Sequence, residues 1–305
     1  MRRYVLSRVG YSSISLFLLS LTIFTVVRAT GDPAVLLVGP GGSAADFAQA
    51  RTLWGLDRPW PEQYVTFITN AVKGDFGTSF QYRVPVRDLY FERLPNSLLL
   101  AFVALLISLL IGIPLGIVSA VKLDTGWDTA SKITALLGLS VPNFFIGLVM
   151  INIFAVWLRW LPAAGQGTWQ HLIMPSLALG WYFAASMLRL TRSSMLEVLD
   201  SEYIKLARLK GLPETVVIVK HAFKNALIPV LTLAGINLVI MVNVAVIIET
   251  IFAWPGIGRL LYEAISSRDF PVVQGLVVMA GAMIVGVNLV LDLLYAAIDP
   301  RIKYA

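Results

Sequence analysis

Six stretches of this chain are apolar for the length of a bilayer crossing, and that feature constrains nearly everything else it can be. A helix needs about 17–25 predominantly apolar residues to cross the hydrocarbon core. Such runs occupy 10–27, 98–121, 133–157, 172–190, 226–248 and 276–298. Backbone polar groups in lipid must be satisfied within their own segment, so each run is expected to be a helix and the chain an all-α integral membrane protein with six transmembrane helices. Composition agrees: 57 % of residues are hydrophobic and only 14 % charged, figures foreign to soluble domains. Arg2, Arg3 and Arg8 before the first run also suit a signal peptide, but no small-residue cleavage site follows.

The formal charge of +6 would suggest nucleic acid if the basic residues were clustered. They are instead divided among the loops, and the division sets an orientation. With the amino terminus inside, the cytoplasmic side carries Arg2, Arg3, Arg8, Lys122, Lys132, the seven basic residues from Arg189 to Lys224, Arg301 and Lys303. The short outer loops hold only Arg159, Arg259 and Arg268. Both termini are therefore expected in the cytoplasm, with no nucleic-acid partner.

Two connections are too long to be plain loops. The outer one, 28–95, contains Ser43-Ala44-Ala45-Asp46, the pattern of a capping box, before a helix that Gly55 would close. Pro61 and Glu62 open a second, ending at Gly74. Such a segment suits a lid on the bundle or a surface for a docking partner. The expected organisation is 1–27 (cytoplasmic end and first span), 28–95 (extracytoplasmic segment) and 96–305 (five-span core with an inner hairpin at about 195–225).

In that hairpin, 197–210 has the period of an amphipathic helix, with Leu199, Tyr203, Leu206 and Ala207 near one face and Glu202, Lys205 and Arg208 solvated. Gly211 stands where a left-handed cap belongs, Pro213 where a helix starts, and Glu214 in the first turn of a second helix. A basic amphipathic hairpin can lie on anionic lipid or serve as a knob for a cytoplasmic partner.

Chemistry of the chain's own is scarce. Cysteine is absent and only two histidines occur, one on each expected side. No Gly-x-x-x-x-Gly-Lys-Ser/Thr loop is present to cradle phosphates, and Gly256-Ile257-Gly258 lacks the third glycine of a dinucleotide turn. No catalytic constellation, resident metal or bound cofactor is expected. Polar residues within the spans are Asn143, Asn152, Asn237, Asn243, Glu249, Asn288 and Asp292. Asn237 and Asn243, with Met241 between them, are candidates to line a translocation path. Asn288 and Asp292 share a helix face, suiting an inter-helix hydrogen bond or the coupling acid of an ion-driven carrier or channel.

The hairpin sequence Glu202-Tyr203-Ile204-Lys205-Leu206-Ala207-Arg208-Leu209-Lys210-Gly211-Leu212, followed by His221-Ala222-Phe223-Lys224-Asn225-Ala226-Leu227-Ile228-Pro229, resembles the cytoplasmic "EAA" loop of ABC importer permeases of the dipeptide, oligopeptide and nickel group. The resemblance extends to Gly31-Asp32-Pro33-Ala34, Gly55-Leu56-Asp57-Arg58-Pro59, Gly74-Asp75-Phe76-Gly77-Thr78-Ser79, Phe252-Ala253-Trp254-Pro255-Gly256-Ile257-Gly258-Arg259 and Asp299-Pro300-Arg301. Together these are similar to the "B" permease of that group, as in dipeptide and glutathione importers. Lys205 and Leu206 depart from the general loop, as does Thr30 before Gly31.

The resemblance implies the type I importer transmembrane fold. It implies a second, homologous permease as partner, two ATPase subunits carrying ATP and Mg, and an extracytoplasmic solute-binding protein. It also implies that Glu202, Tyr203, Ala207, Arg208, Lys210, Gly211 and Leu212 contact the ATPases, and that the cargo is a short peptide or a peptide-like solute.

Overall fold

The computed structural model describes residues 2–31, 33–34, 38–39 and 41–298, the side chains of 2–6, 53 and 290–298 excepted. Its helices, in chain order, are α1 (Arg2–Ala29), α2 (Ala44–Leu53), α3 (Trp60–Val72), α4 (Val86–Val121), α5 (Gly126–Ser140), α6 (Asn143–Trp157), α7 (Gln170–Leu199), α8 (Glu202–Leu209), α9 (Glu214–Ile251), α10 (Ile257–Ser266) and α11 (Phe270–Ile298). Five of them are long and apolar enough to cross a membrane. α5 and α6 are apolar enough to cross only when taken together, and they are bent by 100° at their junction, the form of a broken span or of a re-entrant loop.

That bend corrects the expectation of one helix over 133–157. Pro142 bars the α conformation from the residue before it, and Val141 is accordingly extended, with φ −90° and ψ 122°. Other prolines do not break their helices: Pro95 and Pro114 lie inside α4, Pro175 inside α7 and Pro229 inside α9. Two helices also begin well before their apolar runs. α4 starts at Val86, and α9 starts at Glu214 and passes through a π-helical stretch, Val217–Phe223, without interruption.

The chain forms two compact units, Met1–Leu94 with Leu260–Ala305, and Pro95–Arg259. In the first, α1 packs along α11. The expected capping box is present: the Asp46 backbone N–H donates to Ser43 Oγ, and the Ser43 N–H returns a bond to the Asp46 carboxylate at 2.8 Å. Gly55 and Gly74, at φ +64° and +83°, close α2 and α3 as expected. α3 leans on α1 through a 2.9 Å hydrogen bond between Ser20 and Tyr64 and the edge-on contact of Phe24 with the Tyr64 ring. Further along, Ser79 Oγ donates to the buried Asp269 carboxylate at 2.5 Å, which also accepts from the Gln81 N–H.

In the second unit α7 is the most deeply buried of the spans. Its Met174, Leu179, Phe183 and Met187 share a core with Leu100 and Ala104 of α4 and with Met241 and Ile248 of α9. α4 and α7 approach closely because Gly180 lies under the Ala104 carbonyl. A Cβ there would stand 2.8 Å from that oxygen. Small residues at helix contacts serve this purpose in membranes, where dispersion and not water expulsion holds helices together.

Candidate coupling hairpin and translocation residues

α7 ends at Leu199, and Asp200 and Ser201 redirect the chain into α8. Ser201 is extended, with ψ 149°, so the expected single helix over 197–210 is divided in two. The buried face of α8 also differs from expectation. Ile204 and Ala207 turn inward against Met195, Val217 and Ala222, and Ala207 is only 7 % exposed. Tyr203 and Leu206 are about half-exposed and Leu209 is 85 % exposed. Ala207 thus belongs to the hairpin's own core, and the outward apolar face is Tyr203, Leu206 and Leu209.

The turn has the expected form. Gly211 has φ +75°, and its N–H bonds the Arg208 carbonyl at 2.9 Å. Pro213 lies one residue outside the next helix, which opens on Glu214. An Arg208–Glu214 ion pair at 2.7 Å ties the two arms and raises the arginine's pKa above its ordinary value. Lys205 is raised likewise by its bond to Glu202 and by Asp200. Asn225 Nδ2 donates to the Tyr203 hydroxyl at 3.0 Å. Glu202, Lys210 and Leu212 are exposed around the same turn. The second arm is continuous with α9 and the first is separated from α7 by two residues, so the hairpin is joined stiffly to two membrane helices.

On α9, Asn237 and Met241 share the buried face one turn apart, and Asn237 Nδ2 has no hydrogen-bond partner. Asn243 is on the exposed side and satisfies its amide on the Val239 carbonyl at 2.8 Å. The structure therefore separates the three residues. Asn288 is exposed, while the Asp292 side chain lies outside the described residues. Among the described residues no group of three or more His, Asp or Glu could hold a metal.

Sequence reasoning missed the most elaborate polar node of the second unit. The fully buried Asp128 carboxylate accepts from Ser119 Oγ at 2.6 Å and from Arg192 Nε at 3.0 Å, pairs with Lys132 at 2.7 Å and receives the Asp124 N–H at 3.2 Å. It joins the end of α4, the start of α5 and α7. The only legible signal was Lys132 one turn beyond Asp128. A second node surrounds the buried Glu249, which accepts from Ser97 Oγ at 2.6 Å and the Arg259 N–H at 3.1 Å and pins the turn after α9.

The described residues form an all-α bundle of apolar helices from which a hairpin projects, stiffly joined to two of them. The binding-protein-dependent transport system inner membrane component matches residues 112–304, and the N-terminal membrane component of such systems matches 1–101. The chain belongs to this family. It is a multi-pass inner-membrane permease subunit of an ABC importer, and its partners include an ATPase and a solute-binding protein.

It is 40 % identical over 305 residues, the whole of both chains, to the glutathione transport system permease protein GsiC of Escherichia coli (strain K12), and equally to that of Shigella dysenteriae serotype 1 (strain Sd197). Its fold is similar to a crystal structure of an amino acid ABC transporter with histidines (TM-score 0.54, 15 % identity, 69 % of this chain and 94 % of that one). It is also similar to an inward-facing form of the MetNI methionine ABC transporter (TM-score 0.50, 21 % identity, 65 % and 94 %).

Proposed function

We propose that this chain is one half of a heterodimeric permease that admits short peptides or peptide-like solutes, glutathione among them, driven by two ATPase subunits that carry ATP and Mg. The full-length identity to a glutathione permease carries the reading of the cargo. Both termini and the hairpin are cytoplasmic, with 28–95 on the outer side facing the binding protein. The distribution of Lys and Arg supports that orientation. Tyr203, Leu206, Leu209 and Leu212 form the apolar contact with an ATPase, flanked by Glu202, Arg208 and Lys210, while Gly211 sets the turn. Closure of the ATPases moves α8, and the short link to α7 and the continuity with α9 carry that movement into the membrane.

Reconstituted with a second permease, both ATPases and the binding protein, the chain is expected to support ATP-dependent uptake of glutathione or a dipeptide. Reconstituted by itself it is expected to show none. Uptake by the isolated chain would overturn the reading.

Asn237 and Met241 are proposed to face the translocation path when the spans rearrange, with Asn243 on the outer flank of α9. The unpaired Asn237 amide supports this, because such a group is costly where it lies buried and gains a partner when it meets a polar solute. Asn237→Leu is expected to reduce uptake severalfold while ATP hydrolysis persists. Unchanged uptake would make Asn237 a packing residue.

A further inference from the structure

We infer that the first unit carries a subsite for the carboxylate of a small zwitterionic solute. This rests on the reading of the cargo as peptide-like. The end of α1, the end of α2 and its turn into α3, α3 itself, the segment after it and the start of α11 line a half-open cavity of about 350 Å³, within the range of small-ligand pockets.

Two groups in its wall have unfinished chemistry. The Arg28 guanidinium lies 3.6 Å from the centre of the Phe24 ring, and its Nε donates to Gln63 Oε1 at 2.8 Å. Among the described residues no carboxylate pairs with it. Gln63 is buried and spends its own Nε2 on the Leu56 and Arg58 carbonyls at 3.2 and 2.8 Å, so the orientation of the arginine fork is fixed in advance. The second group is Gln274 on α11, which lines the same cavity, is 6 % exposed, and has an Nε2 without any hydrogen-bond partner. A buried donor left unpaired is costly, and an acceptor that enters the cavity relieves it.

Charge selects the acceptor. Arg28 and Arg58 line the cavity against a single carboxylate, Asp75, so the wall has an excess of one positive charge. An arginine fork beside an amide N–H suits the planar, two-oxygen carboxylate. Asp75, whose Oδ1 already accepts from the Gly77 N–H at 2.9 Å, remains available to an ammonium group of the same solute. Trp54 and Phe76 supply apolar sides. A cavity of this size admits the terminal residue of a peptide and not a folded partner.

The test uses the assembled permease pair and ATPases in zwitterionic nanodiscs, without the binding protein, and reads saturation-transfer NMR of glycylglycine and of its carboxyl-terminal amide. The acid is expected to bind and the amide not to. Inorganic phosphate is expected to compete poorly. Arg28→Gln and Gln274→Met should each weaken binding by roughly tenfold, the cost of one charge-assisted contact. Gln274→Met is the decisive arm if Arg28→Gln fails to fold. It removes a buried donor that has no hydrogen-bond partner, so its thermal midpoint should equal or exceed that of the parent. Equal binding of acid and amide, displacement of glycylglycine by phosphate at equal concentration, or unaltered binding by Gln274→Met would each overturn the inference. Uptake by the parent complex with its binding protein and ATP separates the two readings. Failure of peptide uptake removes the functional reading, whereas intact uptake with no binding at this cavity removes the subsite alone.

Discussion

Asp128→Ala is expected to destabilise the permease more than any surface change near the hairpin and to lower the yield of inserted, monodisperse protein. The carboxylate is fully buried and holds Ser119, Lys132 and Arg192 around it. Its removal takes both carboxylate oxygens from the part-buried Arg192 and leaves it only Ser119 Oγ, at 3.0 Å, a loss on the order of 1–3 kcal/mol for a buried group deprived of its charged partner. Lys132 is half-exposed and turns to water, so it adds little. Asp128→Asn keeps the shape and one acceptor oxygen and should cost less. Replacing Asp128 together with Arg192 by apolar residues of similar volume, with Lys132 left to water, should recover most of the loss, because removing a whole buried ion pair is far cheaper than removing one member. Thermal midpoints of the three variants in nanodiscs check the order. If Asp128→Ala melts with the parent, the node is a solvated pair without structural weight.

The membrane spans were legible because lipid imposes one demand on every residue of a crossing, and the demand shows as continuous apolarity. Where helices leave the hydrocarbon the demand ceases. Val86 to Leu94 and Glu214 to Phe223 are helical yet mixed in polarity, and hydropathy alone did not mark them. Proline could not be read one way either. Pro142 breaks its span and Pro95, Pro114, Pro175 and Pro229 do not, since the outcome depends on whether neighbouring helices hold the chain straight. The period of α8 was visible, but apolar residues occur on both of its sides. Only the tertiary contacts of Ile204 and Ala207 with Val217 and Ala222 decide which side is inward. Asp128 was overlooked for a related reason, because its principal partner, Arg192, lies 64 residues away. Gly211, by contrast, was legible from chain chemistry alone, since a turn between two helices needs a residue that tolerates positive φ.

That same residue gives the largest expected functional effect. Gly211 stands at φ +75° with open space around its Cβ direction, so a substitution there meets strain in the backbone and no clash. A β-branched side chain in the left-handed region costs roughly 1–2 kcal/mol, enough to shift the turn and tilt α8 against α9. Gly211→Val should leave the spans inserted while the hairpin presents its face at the wrong angle. Leu206→Glu with Leu209→Glu tests that face directly. Both side chains are exposed, so the hairpin keeps its fold, but a carboxylate must be desolvated to enter an apolar groove. Each change is expected to reduce ATPase co-purification and solute uptake by about tenfold or more, the equivalent of ~1.4 kcal/mol in docking. Ala207→Arg serves as a contrast. Its site is filled by Met195, Val217 and Ala222, so the variant should lower the thermal midpoint before it affects docking. If the double glutamate variant binds the ATPases normally, Tyr203, Leu206 and Leu209 lie on lipid or solvent, and coupling passes through another surface of the chain.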